Sequence, residues 1–234
     1  FVNELGGKYI TAEDVGTTVP DMMIVKEVTK WVTGLPLENG GSGDPSPLTA
    51  LGVFHGIKAS MEFLGWGSSF EGRTVAIQGV GKVGGPLAGM LKKAGAKLIV
   101  TDTTQERLDW ARESLKAEIV TAEQISTVPC DIFAPCALGA GLNEKTIPQL
   151  KCKMVAGAAN NQLKVPDQDG QRLADRGILY VPDFVINAGG IINVSIEVEG
   201  NYDLEKAKQR VIKVGEAVRH VLEKSKKEGI LPHQ

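Results

Sequence analysis

The stretch Thr74-Val-Ala-Ile-Gln-Gly79-Val-Gly81-Lys-Val-Gly84 decides the fold. An apolar, β-branched run leads into Gly-x-Gly-x-x-Gly, and a helix of small residues follows. A second apolar run, Lys97-Leu-Ile-Val-Thr-Asp102, then ends in an acidic residue. This order of strand, glycine turn, helix, strand and acid is typical of the first βαβ unit of a dinucleotide-binding sheet. We therefore expect the chain to be built around this unit.

Each glycine of the turn has its own physical task. Gly79 permits the tight turn, Gly81 lets the backbone approach a pyrophosphate, and Gly84 lets the helix pack close to the strand. Free N–H groups at the helix N-terminus favour the bound phosphates. Asp102 is placed to accept hydrogen bonds from a ribose, and its charge favours NAD over NADP because it would repel a 2′-phosphate. A purely structural glycine turn is the alternative.

The same alternation of apolar runs and helical patterns continues along the chain. Strands are predicted at residues 8–11, 118–120, 131–134, 153–156 and 178–181, and helices at 20–28, 106–115 and 169–176. Ser46 is the predicted N-cap of a further helix, and an apolar stripe from Asp203 onward predicts one long terminal helix with a packing or subunit face. The pattern predicts a Rossmann-type, doubly wound, mostly parallel sheet with helices on both faces.

Composition excludes several classes of function. With 26 basic and 28 acidic residues the net charge is -2, which gives no reason to expect nucleic acid or an anionic membrane as a partner. No apolar run approaches the roughly 20 residues that span a bilayer. Three cysteines without C-x-x-C spacing predict neither a disulfide framework nor a metal site, and suggest reduced thiols in a cytoplasmic protein. The histidines have no partners at triad spacing, so nucleophilic catalysis is not predicted.

Polar residues collect where the predicted strands end. In an open parallel sheet ligands bind beyond the carboxyl ends of the strands, and Asp14, Asp102, Asn160 and Asn187 all follow such ends. The two neutral amides suit hydrogen bonds to a ribose and a carboxamide without adding charge. Capping of a helix or strand end is the structural alternative for Asp14, Asn160 and Asn187.

Several motifs in order resemble the leucine/phenylalanine/valine dehydrogenase branch of the glutamate dehydrogenase superfamily. Besides the glycine turn they are Ile10-Thr-Ala-Glu-Asp14-Val-Gly-Thr, Gly43-Asp-Pro-Ser-Pro-x-Thr49-Ala, Asp131-Ile-Phe-Ala-Pro-Cys-Ala-Leu-Gly139, Gly157-Ala-Ala-Asn160-Asn161 and Asn187-Ala-Gly-Gly190. The resemblance covers nearly the whole chain. It implies NAD-dependent oxidative deamination of an apolar L-amino acid, of the leucine, phenylalanine, valine or tryptophan type, to its 2-oxo acid and ammonia. It also implies a homo-oligomer for the full-length protein.

The resemblance assigns roles to residues of this chain. Asp14 matches the catalytic aspartate, which assists proton transfer together with a lysine. Ala12, Ile191 and Val194 match the apolar wall around the substrate side chain; a glutamate carboxylate there would need a buried cation. The residues that match the cofactor site are Thr49, Gly79, Val80, Gly81, Lys82, Val83, Gly84, Gly85, Asp102, Cys136, Ala137, Leu138, Asn160 and Asn187.

One departure from the family concerns its lysines. The family carries its catalytic and carboxylate-binding lysines in a Gly-Gly-Gly-Lys region of an N-terminal domain, and Gly6-Gly-Lys8 is a different motif, so Lys8 is not assigned. We expect that domain, and the family's last helix, to be absent from this chain. Residues 1–45 are then a remnant of the inter-domain region, 46–202 the NAD-binding Rossmann domain and 203–234 a C-terminal helix. We expect NAD binding without activity; a stand-alone non-catalytic NAD-binding module or regulatory subunit is the alternative.

Overall fold

A six-stranded sheet with the order β3-β2-β1-β4-β5-β6 forms the centre of the computed structural model, which describes residues 1–14 and 16–234. The strands are β1 Thr74–Gln78, β2 Lys97–Thr101, β3 Glu118–Ile119, β4 Ile132–Pro135, β5 Met154–Val155 and β6 Leu179–Tyr180. All five neighbouring pairs are parallel. The strand order reverses between β1 and β4, which confirms the doubly wound α/β fold; the sheet is fully parallel rather than mostly so.

Helices cover both faces of this sheet. They are α1 Val19–Val28, α2 Ser46–Phe63, α3 Gly84–Lys93, α4 Gln105–Leu115, α5 Pro166–Asp175, α6 Asp183–Ile186, α7 Gly189–Glu199, α8 Leu204–Ile212 and α9 Val214–Glu228. Within the described part of the chain, no helix is both long and apolar enough to cross a membrane.

The two faces of the central strand build two separate cores. Val75 and Ile77 point into one core, which contains Ile57 of α2, while Ala76 points to the other face with Leu173 of α5. This division follows from the two-residue period of a strand. β1 is thus buried on both faces, and the turn that follows it is the predicted dinucleotide site.

Two of the predicted elements are wrong near the N-terminus. In place of a strand at residues 8–11, Thr11 forms an isolated parallel bridge to Val32, which is not extended into a ladder among the described residues. Ser46 is not the cap of α2 but its first residue, with Pro45 before it. The Ser46 N–H donates instead to Oδ1 of Asp44 at 2.8 Å, so a neighbouring carboxylate supplies the capping acceptor.

The predicted single terminal helix is also wrong. It is divided at Lys213 into α8 and α9. The division lets Val211 of α8 pack in a small cluster with Leu48 of α2, while Val218 of α9 enters the main core. The apolar stripe therefore packs in two places, in the small cluster through α8 and in the main core through α9.

Candidate functional site

A cavity of about 930 Å³ opens at the carboxyl ends of the strands. Its walls include the residues that follow β1, β4 and β5, namely 81–83, 136–139 and 158–161. This is the edge of an open parallel sheet where ligands bind, and the volume is within the range of small-molecule and cofactor sites.

Most of the predicted site residues line this one cavity. They are Ala12, Asp14, Thr49, Gly81, Lys82, Val83, Cys136, Ala137, Leu138, Asn160, Asn187, Ile191 and Val194. Five predicted cofactor residues are not part of the wall and lie beneath it or beside it: Gly79, Val80, Gly84, Gly85 and Asp102. The structure thus brings the predicted catalytic, cofactor and substrate residues around a shared space; their individual roles stay predictions.

The β1–α3 turn requires glycine at two positions. Gly79 has φ +93°, in the region that L side chains rarely adopt, and a Cβ there would lie 3.1 Å from the Ala137 nitrogen. A Cβ on Gly84 would overlap the Gly79 carbonyl oxygen. Gly81 lines the cavity with no side chain of its own to cover the backbone. These features fit a pyrophosphate that rests on backbone N–H groups at the start of α3.

Asp102, directly after β2, is tied to the same turn. Its Oδ2 accepts from the Val80 N–H at 2.8 Å and its Oδ1 from the Thr104 N–H at 2.9 Å, with only 5% of the side chain exposed. Burial alone would raise the pKa of Asp102, but the hydrogen bonds from Thr104 and Val80 and the nearby Arg107 together lower it below its usual value. The carboxylate therefore stays charged, and its remaining lone pairs can accept from a ribose hydroxyl.

Sequence reasoning missed two charged side chains of the cavity wall, Glu13 and Arg107. Glu13 Oε1 lies 2.5 Å from the Lys82 ammonium, a hydrogen bond that raises the pKa of Lys82. Arg107 Nη1 lies 3.5 Å from Oδ1 of Asp102. No local pattern predicts the contact of Glu13. A signal for Arg107 did exist, because an arginine near the acid that follows the second strand is a known partner of phosphate groups in this fold.

The two predicted amides lie in direct contact. Asn187 Nδ2 donates to Oδ1 of Asn160 at 2.5 Å and to the Ala158 carbonyl at 3.2 Å. Asn187 is also the C-cap of α6, so it has the capping role that is the structural alternative to ligand binding. The contact joins the loop after β5 to the start of α7 and places both amides on the cavity wall.

The thiol and hydroxyl groups of the wall are neutral. Burial raises the pKa of the Cys136 thiol to about 11, so this side chain is uncharged at neutral pH and is no nucleophile. Thr49, in the first turn of α2, donates its hydroxyl to the Pro45 carbonyl at 3.1 Å. These groups can shape and hydrogen-bond a ligand without adding charge to the cavity.

An apolar wall lines the same cavity as Asp14. Ile191 and Val194 lie three residues apart on α7, which places them on one side of that helix. Phe184, exposed over 64% of its surface, also lines the cavity and was not predicted. The glycine-rich start of α7 resembles a loop in sequence, but Gly189 is needed because a Cβ would overlap the Leu48 carbonyl oxygen of α2.

Asp14 lines the cavity and is hydrogen-bonded to Thr17. Its N–H donates to Oγ1 of Thr17 at 2.9 Å, and its carbonyl accepts from the N–H and the hydroxyl of Thr17. Lys8 is not among the residues of the cavity wall; apart from Arg107, the single basic side chain that lines the described cavity is Lys82.

Comparison with known proteins identifies relatives of this chain in sequence and in fold. The sequence profile of the family described as Glutamate/Leucine/Phenylalanine/Valine dehydrogenase matches residues 40–107 and 99–232. A leucine dehydrogenase of Thermoactinomyces intermedius is 51% identical over 230 residues, which cover 98% of this chain and 62% of that protein. A valine dehydrogenase of Streptomyces virginiae is 45% identical over 236 residues, with 99% and 65% covered.

A solved structure agrees with these sequence matches. The crystal structure of L-tryptophan dehydrogenase from Nostoc punctiforme superimposes with a TM-score of 0.86 at 40% identity, covering 99% of this chain and 66% of that one. The chain thus spans just under two thirds of the length of the relatives it matches.

Proposed function

Since the chain belongs to the Glutamate/Leucine/Phenylalanine/Valine dehydrogenase family, we propose that it carries the cofactor half of an NAD-dependent amino-acid dehydrogenase site. The reaction is the oxidative deamination of an apolar L-amino acid to its 2-oxo acid and ammonia. One observation carries the proposal: Asp14, the glycine turn and the apolar wall of α7 all border the same cavity. A protein that only bound the nucleotide would need neither Asp14 nor the apolar wall of α7.

The residues of the chain divide the work as follows. Backbone N–H groups at residues 81–84 would hold the pyrophosphate, and the Asp102 carboxylate would accept from the adenosine ribose. Thr49, Asn160 and Asn187 bind and orient the nicotinamide half through neutral groups. When bound, the nicotinamide supplies the hydride acceptor. The Asp14 carboxylate takes and returns a proton at the substrate amine.

The cavity wall also supports the proposed substrate class. Ala12, Ile191 and Val194 present aliphatic side chains. The basic side chains of the described wall, Lys82 and Arg107, are paired with Glu13 and Asp102 beside the glycine turn. An acidic substrate side chain against the aliphatic wall would therefore lose its water and find no cation to pair with. Leucine-, valine-, phenylalanine- and tryptophan-sized side chains are favoured over glutamate.

The experiment is to purify the product of the complete gene and measure amino-acid-dependent formation of NADH. We expect turnover with at least one of leucine, valine, phenylalanine and tryptophan, and none with glutamate. The 234-residue chain is expected to bind NADH but not to turn over, and its turnover would overturn the proposal that further residues are needed. NADH binding without activity on any amino acid by the complete product would favour a non-catalytic module.

We further infer that the complete protein is a cytoplasmic homo-oligomer. The three cysteines are free, which suits a reducing compartment. Ile24 and Val28 of α1 are 65% and 75% exposed, which is apolar surface that a subunit contact would cover. Light scattering of the complete protein and fractionation of its cells test the two statements; a monomer or a secreted protein would contradict them.

A further inference from the structure

The guanidinium of Arg107 lies between Asp102, which follows β2, and the glycine turn. Its Nη1 is 3.5 Å from Oδ1 of Asp102 and 3.3 Å from the position that a Cβ on Gly81 would take. The side chain is 49% exposed and lines the cavity. Arg107 therefore faces the space where the adenosine end of a dinucleotide is expected, and it does so with a charge opposite to that of Asp102.

Asp102 is not the lone carboxylate that the sequence suggests. Both of its oxygens accept backbone N–H groups, its side chain is 5% exposed, and a cation lies beside it. The pair of Asp102 and Arg107 has no net charge, so its repulsion toward a phosphate at the ribose is much weaker than that of a carboxylate alone. The guanidinium has five N–H donors, and a half-exposed one has donors left for a ligand.

We propose that Arg107 is a specificity-determining residue that gives this site affinity for the 2′-phosphate of NADP in addition to NAD. The inference rests on the proposed function, since it assumes that the turn binds a dinucleotide. It changes the expectation drawn from Asp102: the carboxylate still favours NAD through the ribose hydroxyls, but it does not exclude NADP.

The chemistry of the two groups supports this assignment. A phosphate monoester carries a charge of roughly -1.5 to -2 at neutral pH and three strong acceptor oxygens. The planar fork of a guanidinium binds such a group through two parallel hydrogen bonds. The pyrophosphate is the other anion within reach, but it is common to NAD and NADP. Because Arg107 pairs with the carboxylate predicted to bind the ribose, the 2′-phosphate is the more suitable partner for its guanidinium than the pyrophosphate.

The test compares NADH and NADPH binding by calorimetry or nucleotide fluorescence in the wild-type chain and in Arg107→Ala. We expect the two wild-type dissociation constants to lie within about tenfold of each other. In Arg107→Ala we expect the affinity for NADPH to fall by about 10- to 100-fold, the range of a charge-assisted hydrogen bond. The affinity for NADH should fall by less than about threefold. Arg107→Lys keeps the charge without the fork and should recover part of the NADPH affinity.

Arg112→Ala is the matched control. Arg112 lies on the same helix, is 54% exposed and pairs with Asp109 at 2.7 Å, but it is not part of the cavity wall. Its removal should leave both affinities unchanged. Displacement of the bound nucleotides by ADP-ribose and by its 2′-phosphorylated form gives the same comparison without the nicotinamide, and only the phosphorylated form should depend on Arg107.

Two results would overturn the inference. Equal losses of NADH and NADPH in Arg107→Ala would place the guanidinium on the pyrophosphate, and no loss of either would remove it from the ligand. Both are distinct from failure of the proposed function, in which the wild-type chain would bind neither nucleotide.

Discussion

Lys82 of the glycine turn holds its ammonium 2.5 Å from Oε1 of Glu13, the residue before Asp14. The two residues are 69 positions apart in the chain. Glu13 is only 4% exposed, and its Oε2 has no hydrogen-bond partner among the described residues, while Lys82 is 53% exposed. The ion pair thus connects the predicted dinucleotide turn to the segment that carries the predicted catalytic aspartate.

Breaking this pair should reduce stability. Lys82→Gln and Glu13→Gln are each expected to lower the free energy of unfolding by about 1 kcal/mol. Lys82→Gln leaves the desolvated Glu13 carboxylate without its cation, and Glu13→Gln leaves the Lys82 ammonium without its anion. The double variant should lose clearly less than the sum, with a coupling of about 1 kcal/mol. Denaturant unfolding of the four proteins measures the coupling.

The pair of Lys164 and Glu144 is the control for this cycle. These side chains are 53% and 45% exposed and 3.3 Å apart, so the same substitutions should show a coupling below about 0.5 kcal/mol. A coupling at Lys82 and Glu13 no larger than that of the control pair would contradict the view that burial of Glu13 strengthens the contact.

Two glycines of α3 should respond oppositely to alanine. A Cβ on Gly84 would overlap the Gly79 carbonyl oxygen, so Gly84→Ala should lower the free energy of unfolding by about 3 kcal/mol or prevent folding. A Cβ on Gly89, inside the same helix, would have nothing within 4 Å, so Gly89→Ala should raise the free energy of unfolding by about 0.5–1 kcal/mol. Equal effects in thermal or denaturant unfolding would contradict the close packing of the turn.

Asp102→Ala should weaken the binding of NADH more than the binding of NADPH. The carboxylate accepts from the free ribose hydroxyl of NAD, so we expect the affinity for NADH to fall by about 10- to 100-fold and the affinity for NADPH to fall much less. Asp109→Ala, which removes an acid on the outer side of α4 paired with Arg112, is the control and should change neither. Equal losses in calorimetric titrations would remove Asp102 from the ribose.

The Cys136 thiol should make the protein sensitive to alkaline pH. Its folded pKa is about 11, above the value of 9.0 for an unperturbed thiol. Its contribution to stability is therefore fully present below pH 9.0 and lost as the pH rises toward 11, because the unfolded chain loses its proton first. Cys136→Ala should show a smaller fall in the free energy of unfolding over this interval. Parallel curves for the two proteins would show that the thiol is not held neutral by burial.

The sequence predicts the β1–α3 turn well because its signals are local. Gly79, Gly84 and Asp102 lie within one βαβ unit, and each is required by the backbone geometry next to it. The sheet follows for the same reason, since every buried strand is a short apolar run. The order of the motifs then makes the family recognisable from the sequence.

Contacts between distant segments are not predicted by local patterns. Glu13 looks like a surface residue beside Asp14 until the fold brings Lys82 to it. The start of α7 resembles a loop, yet Gly189 and Gly190 are there for close packing against α2 rather than for a turn. Tertiary packing, which single-sequence patterns do not contain, decides both the contact of Glu13 and the glycines of α7.

Titration of the 234-residue chain with NADH, followed by calorimetry, tests the dinucleotide site most directly. We expect saturable binding at one site per chain, with a dissociation constant below about 1 mM, and displacement by ADP-ribose. Asp102→Ala should reduce this affinity, and Asp109→Ala should not. An absence of saturable binding in the wild-type chain, with the protein shown to be folded, would contradict the assignment of the turn from Gly79 to Gly84 as a dinucleotide site.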